Sequence, residues 1–153
     1  MAYADALRAA TATMETAATL IEGLVTDFAR AAGTSLINTT TTSSSGVDYT
    51  SASVSITAAA NDRVLIIARN GVSNSNSGNI VTFDVYEDAT RLDPGGRFYC
   101  ARASVDGFDS ILEQTHYRTP SAGAHTYKIK WYTNANTAYS YGFELIALAF
   151  QQV

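Results

Sequence analysis

The residues that could take part in nucleophilic catalysis or zinc binding are few and widely separated. The chain has one cysteine, Cys100, and two histidines, His116 and His125. No H-x-x-x-H or C-x-x-C spacing occurs, so the sequence contains no recognised pair of zinc ligands. A catalytic thiol needs a base close by, and because none is indicated we interpret Cys100 as a small buried hydrophobe. We expect both histidines to be hydrogen-bonded structural residues, with His116 conferring pH sensitivity if it lies at a subunit interface.

Acidic and hydroxyl residues also fail to form a pattern typical of a reaction. Neither of two local groups of carboxylates has the spacing of an EF-hand loop, and no two are placed as a glycosidase pair. We interpret them as solvated loop residues, with a weak calcium site between loops as the alternative. No G-x-S-x-G motif activates a serine. The sequence therefore predicts a protein that is not an enzyme and has no cofactor. The carboxylates are Asp84, Glu87, Asp88 and Asp93 around one turn, and Asp106 and Asp109 in "VDGFDS".

Composition and charge exclude several classes of partner. Charged residues make up 16% of the 153 residues, the net charge is −4, and the ten basic residues are scattered singly. We therefore expect no nucleic-acid binding. No apolar run approaches 18 residues and the N-terminus does not resemble a secretory signal, so we expect no membrane association. A single cysteine fits synthesis in a reducing host cytoplasm.

The N-terminal part, residues 1–33, has the pattern of a long amphipathic helix. It is rich in alanine, contains no proline, and has a 4-3-4-3 apolar spacing that predicts a coiled coil or a helix lying in a groove. Packing on its own domain, self-association and docking on a partner are the alternatives. The apolar positions are Tyr3, Leu7, Ala10, Met14, Ala17, Ile21, Leu24 and Phe28.

The rest of the chain has a β pattern. Residues 34–46, "TSLINTTTTSSSG", predict a stiff linker or an extended arm that adds to a sheet edge. Residues 47–153 show about eight short strands separated by turns, with no helical crossover. We expect Tyr49, Val54 and Ile56 to point inward, and the strand "RVLIIAR" to be buried. The predicted fold is all-β: an antiparallel jelly-roll sandwich preceded by one long N-terminal α-helix.

The final strand, "AYSYGFELIALAF", is apolar on both faces over its last third. Strict alternation would place Tyr139, Tyr141, Phe143, Leu145 and Ala147 on one face. The other face would hold Ile146, Leu148 and Phe150. In a monomeric sandwich one face would meet water, whereas a neighbouring copy would cover it.

The closing segment "PSAGAHTYKIKWYTNANTAYSYGFELIALAF" is similar to the last hairpin of small phage virion proteins with a tumour-necrosis-factor-like jelly roll. The shared elements are a Gly-containing turn, H-T-Y, an alternating strand ending in an aromatic, a polar turn and a final apolar strand. The resemblance covers residues 47–153. It implies a homotrimer whose three-fold axis is lined by the terminal strands, and a role as a capsid decoration protein, head fibre or fibre tip.

From the pattern and the resemblance together we expect a structural virion protein, made in the host cytoplasm, that contacts a major capsid protein or a tail component. The alternative is a receptor- or glycan-binding tip, read through the loops "SNSNSGN" and "NTAYSY". The predicted subunit interface consists of Tyr3, Leu7, Met14, Ile21, Leu24, Phe28, Tyr141, Phe143, Leu145, Ile146, Leu148 and Phe150.

Overall fold

In the part of the chain that the structure describes, nine antiparallel strands form two sheets that pack face to face. The computed structural model describes residues 11–15, 24–33, 39–76, 78–93 and 110–151. The first sheet has the order β1-β9-β4-β7, with β2 also pairing β9, and the second has the order β3-β8-β5-β6. The strands are β1 (Val25–Gly33), β2 (Thr39–Thr41), β3 (Val47–Ala58), β4 (Arg63–Asn74), β5 (Val81–Glu87), β6 (Thr90–Arg91), β7 (Ser110–Arg118), β8 (Gly123–Thr133) and β9 (Ala138–Phe150).

The core lies between the sheets and follows the alternation of the strands. The second sheet contributes Tyr127 and Trp131, both fully buried, and the first contributes Leu145. The Tyr49 ring bridges the layers, with its centroid 5.5 Å from that of Trp131 and 4.8 Å from that of Phe143. The predicted all-β sandwich is confirmed, and so is the inward direction of Tyr49, Val54 and Ile56.

The prediction of one long N-terminal helix is wrong, because Val25–Gly33 forms β1. Residues 11–15 are helical, but β1 pairs with β9 in a register from Val25 opposite Phe150 to Gly33 opposite Phe143. Ala29 and Ala31 pack on the core, and backbone pairing with β9 satisfies the strand's peptide groups. Helix propensities differ by only a few tenths of a kcal/mol per residue, so this tertiary pairing overrides the helical pattern.

Two side chains fasten β1 to the opposite sheet. The carboxylate of Asp27 accepts a hydrogen bond of 2.6 Å from the Thr57 amide on β3. The Thr26 hydroxyl donates to Asp62, a buried carboxylate in the β3–β4 turn, over 2.6 Å. These bonds close one end of the sandwich.

Two segments outside the predicted strands contain β structure, and the first follows the extended-arm alternative for residues 34–46. Within the predicted linker, Thr39–Thr41 forms β2 and adds to the edge of the first sheet beside β9. β4 continues to Asn74, well into the sequence predicted as a loop. Both extensions pair with β9, whose 13 residues are long enough to hold β1 and β2 one after the other.

A bulge in β9 changes the faces expected for its first half. The register with β4 shifts between Gly71 and Val72, which leaves Tyr141 without an opposite residue. The bulge is at Gly142, whose φ of 146° favours glycine. Tyr141 therefore lies on the opposite side from Phe143, and its hydroxyl is 2.8 Å from that of Ser73. The expectation that Tyr139 and Tyr141 share a face with Phe143 and Leu145 is wrong.

Candidate functional site

The outer face of the second sheet is polar, with Lys128 and Lys130 partly exposed and Asp84 and Tyr132 buried. Lys128 and Lys130 lie 2.9 Å and 3.3 Å from the carboxylate of Asp48. The hydrogen bond from Lys128 lowers the pKa of Asp48. The hydroxyls of Tyr86 and Tyr132 are 2.9 Å apart on the same side. Such a surface is stable in water without a partner.

The outer face of the first sheet is apolar over two register rows. In the first row, Phe28 of β1 lies opposite Leu148 of β9, which lies opposite Leu65 of β4, which lies opposite Tyr117 of β7. In the next row, Ile146 and Ile67 are opposite one another. We call this set the apolar face: Phe28, Leu65, Ile67, Tyr117, Ile146 and Leu148.

The two aromatic ends of the apolar face are strongly exposed. Phe28 has 56% and Tyr117 66% of its surface in contact with solvent, while the four aliphatic residues between them are half-buried. At about 25 cal/mol per Å², covering roughly 100 Å² of each ring contributes about 2.5 kcal/mol for each ring. A contiguous apolar surface with one aromatic at each edge is typical of a protein–protein contact.

A row of alternating charges borders the apolar face. Arg30 reaches Glu144 over 2.8 Å, and Arg69 reaches Glu113 over 2.7 Å. Arg69 is also 4.0 Å from Glu144. We call these four residues the charged row; it crosses the sheet from β1 to β7 as cation, anion, cation, anion. Since its side chains are a quarter to a half exposed, the row adds little to the stability of one chain.

The structure separates the predicted interface residues into two groups. Ile146, Leu148 and Phe150 are half-buried on the outer face, where a second protein can reach them. Leu145 and Phe143 are 0% and 7% exposed in the core, so their assignment to a subunit interface is corrected to a packing role within one chain.

The N-terminal members of the predicted interface are only partly described. Met14 is 72% exposed, and Phe28 belongs to the apolar face through β1 rather than through a helix. The carbonyl of Leu24 accepts a hydrogen bond of 2.8 Å from the Gln151 amide. Three predicted residues lie outside the described part of the chain: Tyr3, Leu7 and Ile21.

The sequence prediction missed three members of the apolar face: Leu65, Ile67 and Tyr117. A signal for two of them was present, because "RVLIIAR" is apolar on both faces like the end of β9. The prediction of a fully buried strand holds for Val64 and Ile66, whereas Leu65 and Ile67 are only half-buried. Tyr117 is an isolated outward aromatic, and only its register with Leu65 joins it to the others.

His125 links the β7–β8 turn to the β5–β6 turn. Its Nδ1 lies 3.2 Å from the carboxylate of Asp88 and 3.3 Å from that of Glu87, and its Nε2 lies 2.9 Å from the carbonyl oxygen of Ser121. Burial lowers the pKa of His125, but the hydrogen bond to Ser121 and the two carboxylates raise it by more. The pKa of His125 therefore lies above its ordinary value. Both ring nitrogens face acceptors, so the imidazolium form fits the site best.

We expect His125 to make stability depend on pH. Because its folded-state pKa lies above the ordinary 6.5, its contribution is present below about pH 6.5 and is lost as pH rises through the folded-state pKa. The His125→Gln variant should lower Tm by about 2–4 °C at pH 6, the effect of about 1 kcal/mol, and by less at pH 8. Thermal unfolding followed by circular dichroism at both pH values checks this. An equal loss at pH 6 and pH 8 would contradict it.

His116 does not lie on the apolar face. It pairs with Ile66, a core residue, and its Nε2 is 3.1 Å from the side-chain oxygen of Gln114, which is buried. Burial lowers the pKa of His116, which disfavours its charged form. The hypothesis that it confers pH sensitivity on an interface is therefore not supported by its position on the inner side of β7.

The carboxylates around the β5–β6 turn are engaged by protein groups. Asp84 lies 3.0 Å from Arg91, Glu87 lies 3.4 Å from Arg118, and Asp88 accepts a bond of 2.9 Å from a backbone amide. Among the described residues, no three metal-ligating side chains come together. Within the same part of the chain, no helix has the length and hydropathy needed to span a membrane. Cys100, Asp106 and Asp109 also lie outside the described part of the chain.

Two polar loops meet at one end of the sandwich. Asn74, which is 2% exposed, donates from Nδ2 to the Thr133 hydroxyl over 2.9 Å and to the Ala135 carbonyl over 3.0 Å. The Ser75 amide donates to the Thr137 carbonyl over 2.8 Å. The β4–β5 loop and the β8–β9 turn therefore form one hydrogen-bonded end.

Comparisons with known proteins show similarity of fold. No protein-family model matches the chain, and no curated protein matches it. Among solved structures, a chain from T=1 particles derived from infectious bursal virus matches with a TM-score of 0.52 and 12% identity. A chain from the Gx strain of infectious bursal disease virus matches with a TM-score of 0.51 and 13% identity.

These alignments cover most of this chain but only a part of each viral chain. Each alignment covers 84% of this chain and 37% of the viral chain, so this protein spans a little over a third of the length of the viral proteins it resembles. At such low identity the similarity concerns the fold alone.

Proposed function

We propose that this protein is a structural component of a bacteriophage virion, a homotrimeric jelly roll that decorates or stabilises the capsid. The observation that carries the proposal is the contrast between the two outer faces. One is polar and rich in ion pairs, whereas the other has six apolar residues in two register rows. Because the core between the sheets is already complete, the apolar face serves an external contact.

The strand order supports a jelly roll. When β1 and β2 are counted as one edge strand, the strands of the described residues number eight and divide into four per sheet. The chain alternates between sheets as it passes from β2 to β3, from β3 to β4 and from β4 to β5. The last two strands, β8 and β9, are inserted between earlier ones in each sheet. This arrangement suits two nested Greek keys, the architecture of many viral capsid domains.

The similarity to chains of virus particles supports a place in the virion. A small decoration protein is made in the host cytoplasm and needs two kinds of contact, one between its own copies and one with a major capsid protein or a tail component. The apolar face supplies the first. The second requires a different part of the surface, for which the N-terminal segment with its exposed Met14 is our candidate.

Mass measurement and virion binding test the proposal together. Light scattering of the purified chain at micromolar concentration should give three times the 16.3 kDa of one chain. The trimer should also co-sediment with expanded capsids of its phage in a saturable manner. A monomeric mass would overturn the trimer, and absence from capsids together with saturable adsorption to host cells would overturn the decoration role.

The joined loop end favours a second candidate, a receptor- or glycan-binding tip. Three asparagines at this end are exposed: Asn76, Asn134 and Asn136. Amide side chains on a rigid loop suit hydrogen bonding to sugar hydroxyls. In this case glycan-array binding should be lost in the Asn76→Ala variant, while the trimer mass stays the same. Capsid binding without any glycan or cell binding would exclude this candidate.

A further inference from the structure

The outermost members of the apolar face lie at the two edges of the first sheet. Phe28 is on edge strand β1 and Tyr117 on edge strand β7, and Leu148 and Leu65 lie between them in the same register row. Both rings are more than half exposed. Each edge therefore presents one aromatic side chain at the same height along the strands.

The charged row has opposite signs at the same two edges. Arg30 stands on β1, two residues after Phe28, and its side chain reaches toward Glu144. Glu113 stands on β7 and is held by Arg69. The β1 edge therefore ends in a cation and the β7 edge in an anion, and Arg30 and Glu113 are 55% and 50% exposed.

We propose that copies of this chain associate about a rotation axis parallel to the strands of the first sheet, so that the β1 edge of one copy meets the β7 edge of the next. Phe28 then contacts Tyr117 of the neighbouring copy, and Arg30 pairs with Glu113 of the neighbouring copy. This assignment rests on the proposed function, since it takes a second copy as the occupant of the apolar face.

Charge complementarity selects this axis over its alternative. Rotation about an axis parallel to the strands keeps each residue at its height and reverses the order of the strands. Arg30 is level with Thr115, one row away from Glu113, but its guanidinium reaches Glu144 in the row of Glu113, so the rotation brings the cation to the anion. A two-fold axis in the sheet plane and perpendicular to the strands would set each strand against its own copy. With that axis at the height of the charged row, Arg30 would face Arg30 and Glu113 would face Glu113, and like charges in contact are unfavourable.

The pairing within one chain does not compete with the pairing between copies. A guanidinium carries five N–H donors and a carboxylate accepts up to four hydrogen bonds, so Arg30 can hold Glu144 and a second carboxylate at once. Arg30 and Glu113 are about half exposed to water in a single chain, and across the junction between two copies each would replace that water for the other. An aromatic contact beside the ion pair excludes water from it, which strengthens the pair.

Charge reversal in single and double variants tests the assignment. Arg30→Glu and Glu113→Arg should each weaken self-association about tenfold, which corresponds to about 1.4 kcal/mol. The double variant should recover to within about threefold of the original affinity. Within one chain it sets like charges beside Glu144 and Arg69, so a recovery cannot come from the internal pairs. Sedimentation velocity over a dilution series measures the association.

A matched control and a mixing experiment separate this inference from the proposed function. Lys128→Glu reverses a charge that is also ion-paired, on the polar sheet, and should leave the association unchanged. Mixing the two single variants should recover the association only partly in a trimer, because an odd ring keeps one like-charged junction. Full recovery would support the axis and indicate a dimer. A wild-type monomer would overturn the proposed function, whereas a wild-type oligomer that is indifferent to all reversals would overturn only this inference.

Discussion

Replacing Leu148 by aspartate is expected to dissociate the assembly into folded monomers. Leu148 lies in the middle of the apolar face, between Phe28 and Leu65 in the register. A carboxylate there would have to be buried without a partner on association, at a cost of about 3 kcal/mol or more. We expect the association to weaken by a factor of about 100 or more. Light scattering should give a single-chain mass at micromolar concentration.

The Leu148→Asp variant should remain folded, because the side chain is only half-buried in one chain. We expect a loss of less than about 2 kcal/mol in the free energy of unfolding of the monomer. Ser53→Asp places the same charge on an exposed position of the other sheet, and Lys130→Ala removes a charge there. Both controls should stay trimeric. If they dissociated the assembly as strongly as Leu148→Asp does, the apolar face would not be the interface.

Replacing Leu145 by aspartate, three residues earlier on the same strand, is expected to unfold the chain instead. Leu145 is fully buried between the sheets, within the cluster that contains Val64, Ile66 and Trp131. An unpaired carboxylate in that position costs about 4 kcal/mol or more, against a total stability of about 5–15 kcal/mol for an ordinary domain. We expect loss of the cooperative unfolding transition and insoluble expression.

The milder variant Leu145→Ala keeps this prediction measurable. It should lower the free energy of unfolding by about 2–5 kcal/mol, as other large-to-small core changes do. Urea denaturation of Leu145→Ala, measured in the monomeric Leu148→Asp background, reports the effect on folding alone. Leu148→Ala, measured in the wild-type protein at the same protein concentration, reports the effect on association as well. A folded, trimeric Leu145→Asp protein would show that the faces of β9 are assigned the wrong way round.

Much of the sandwich was predictable from local pattern. Alternation in β3 placed Val54 and Ile56 inward, since side chains of an extended strand point to opposite sides whatever the strand pairs with. Tyr49 is also inward, although it is an odd number of residues from Val54, because β3 is irregular between Asp48 and Ser53. The end of β9 is apolar on both faces, which likewise indicated that its outward face would be unfavourable in contact with water. Ile146, Leu148 and Phe150 are found there.

The N-terminal segment shows where local pattern fails. The spacing that ends at Leu24 and Phe28 is helical, yet Phe28 belongs to a strand because eight residues of β1 find partners on β9. Those partners lie more than 100 residues away in the chain. Propensity is a sum of small local terms, and it yields to backbone pairing and core contact that exist only in the folded chain.

By itself, then, the amino-acid sequence determined that the protein is a β sandwich. It also determined that the last strand is apolar on the face that does not pack in the core. Only the tertiary structure decided which residues share that face. Phe28, Leu65, Tyr117 and Leu148 come from four separate parts of the sequence, and strand register alone aligns them in one row. Register is set by long-range pairing and by the bulge at Gly142, neither of which has a local signature strong enough to be predicted.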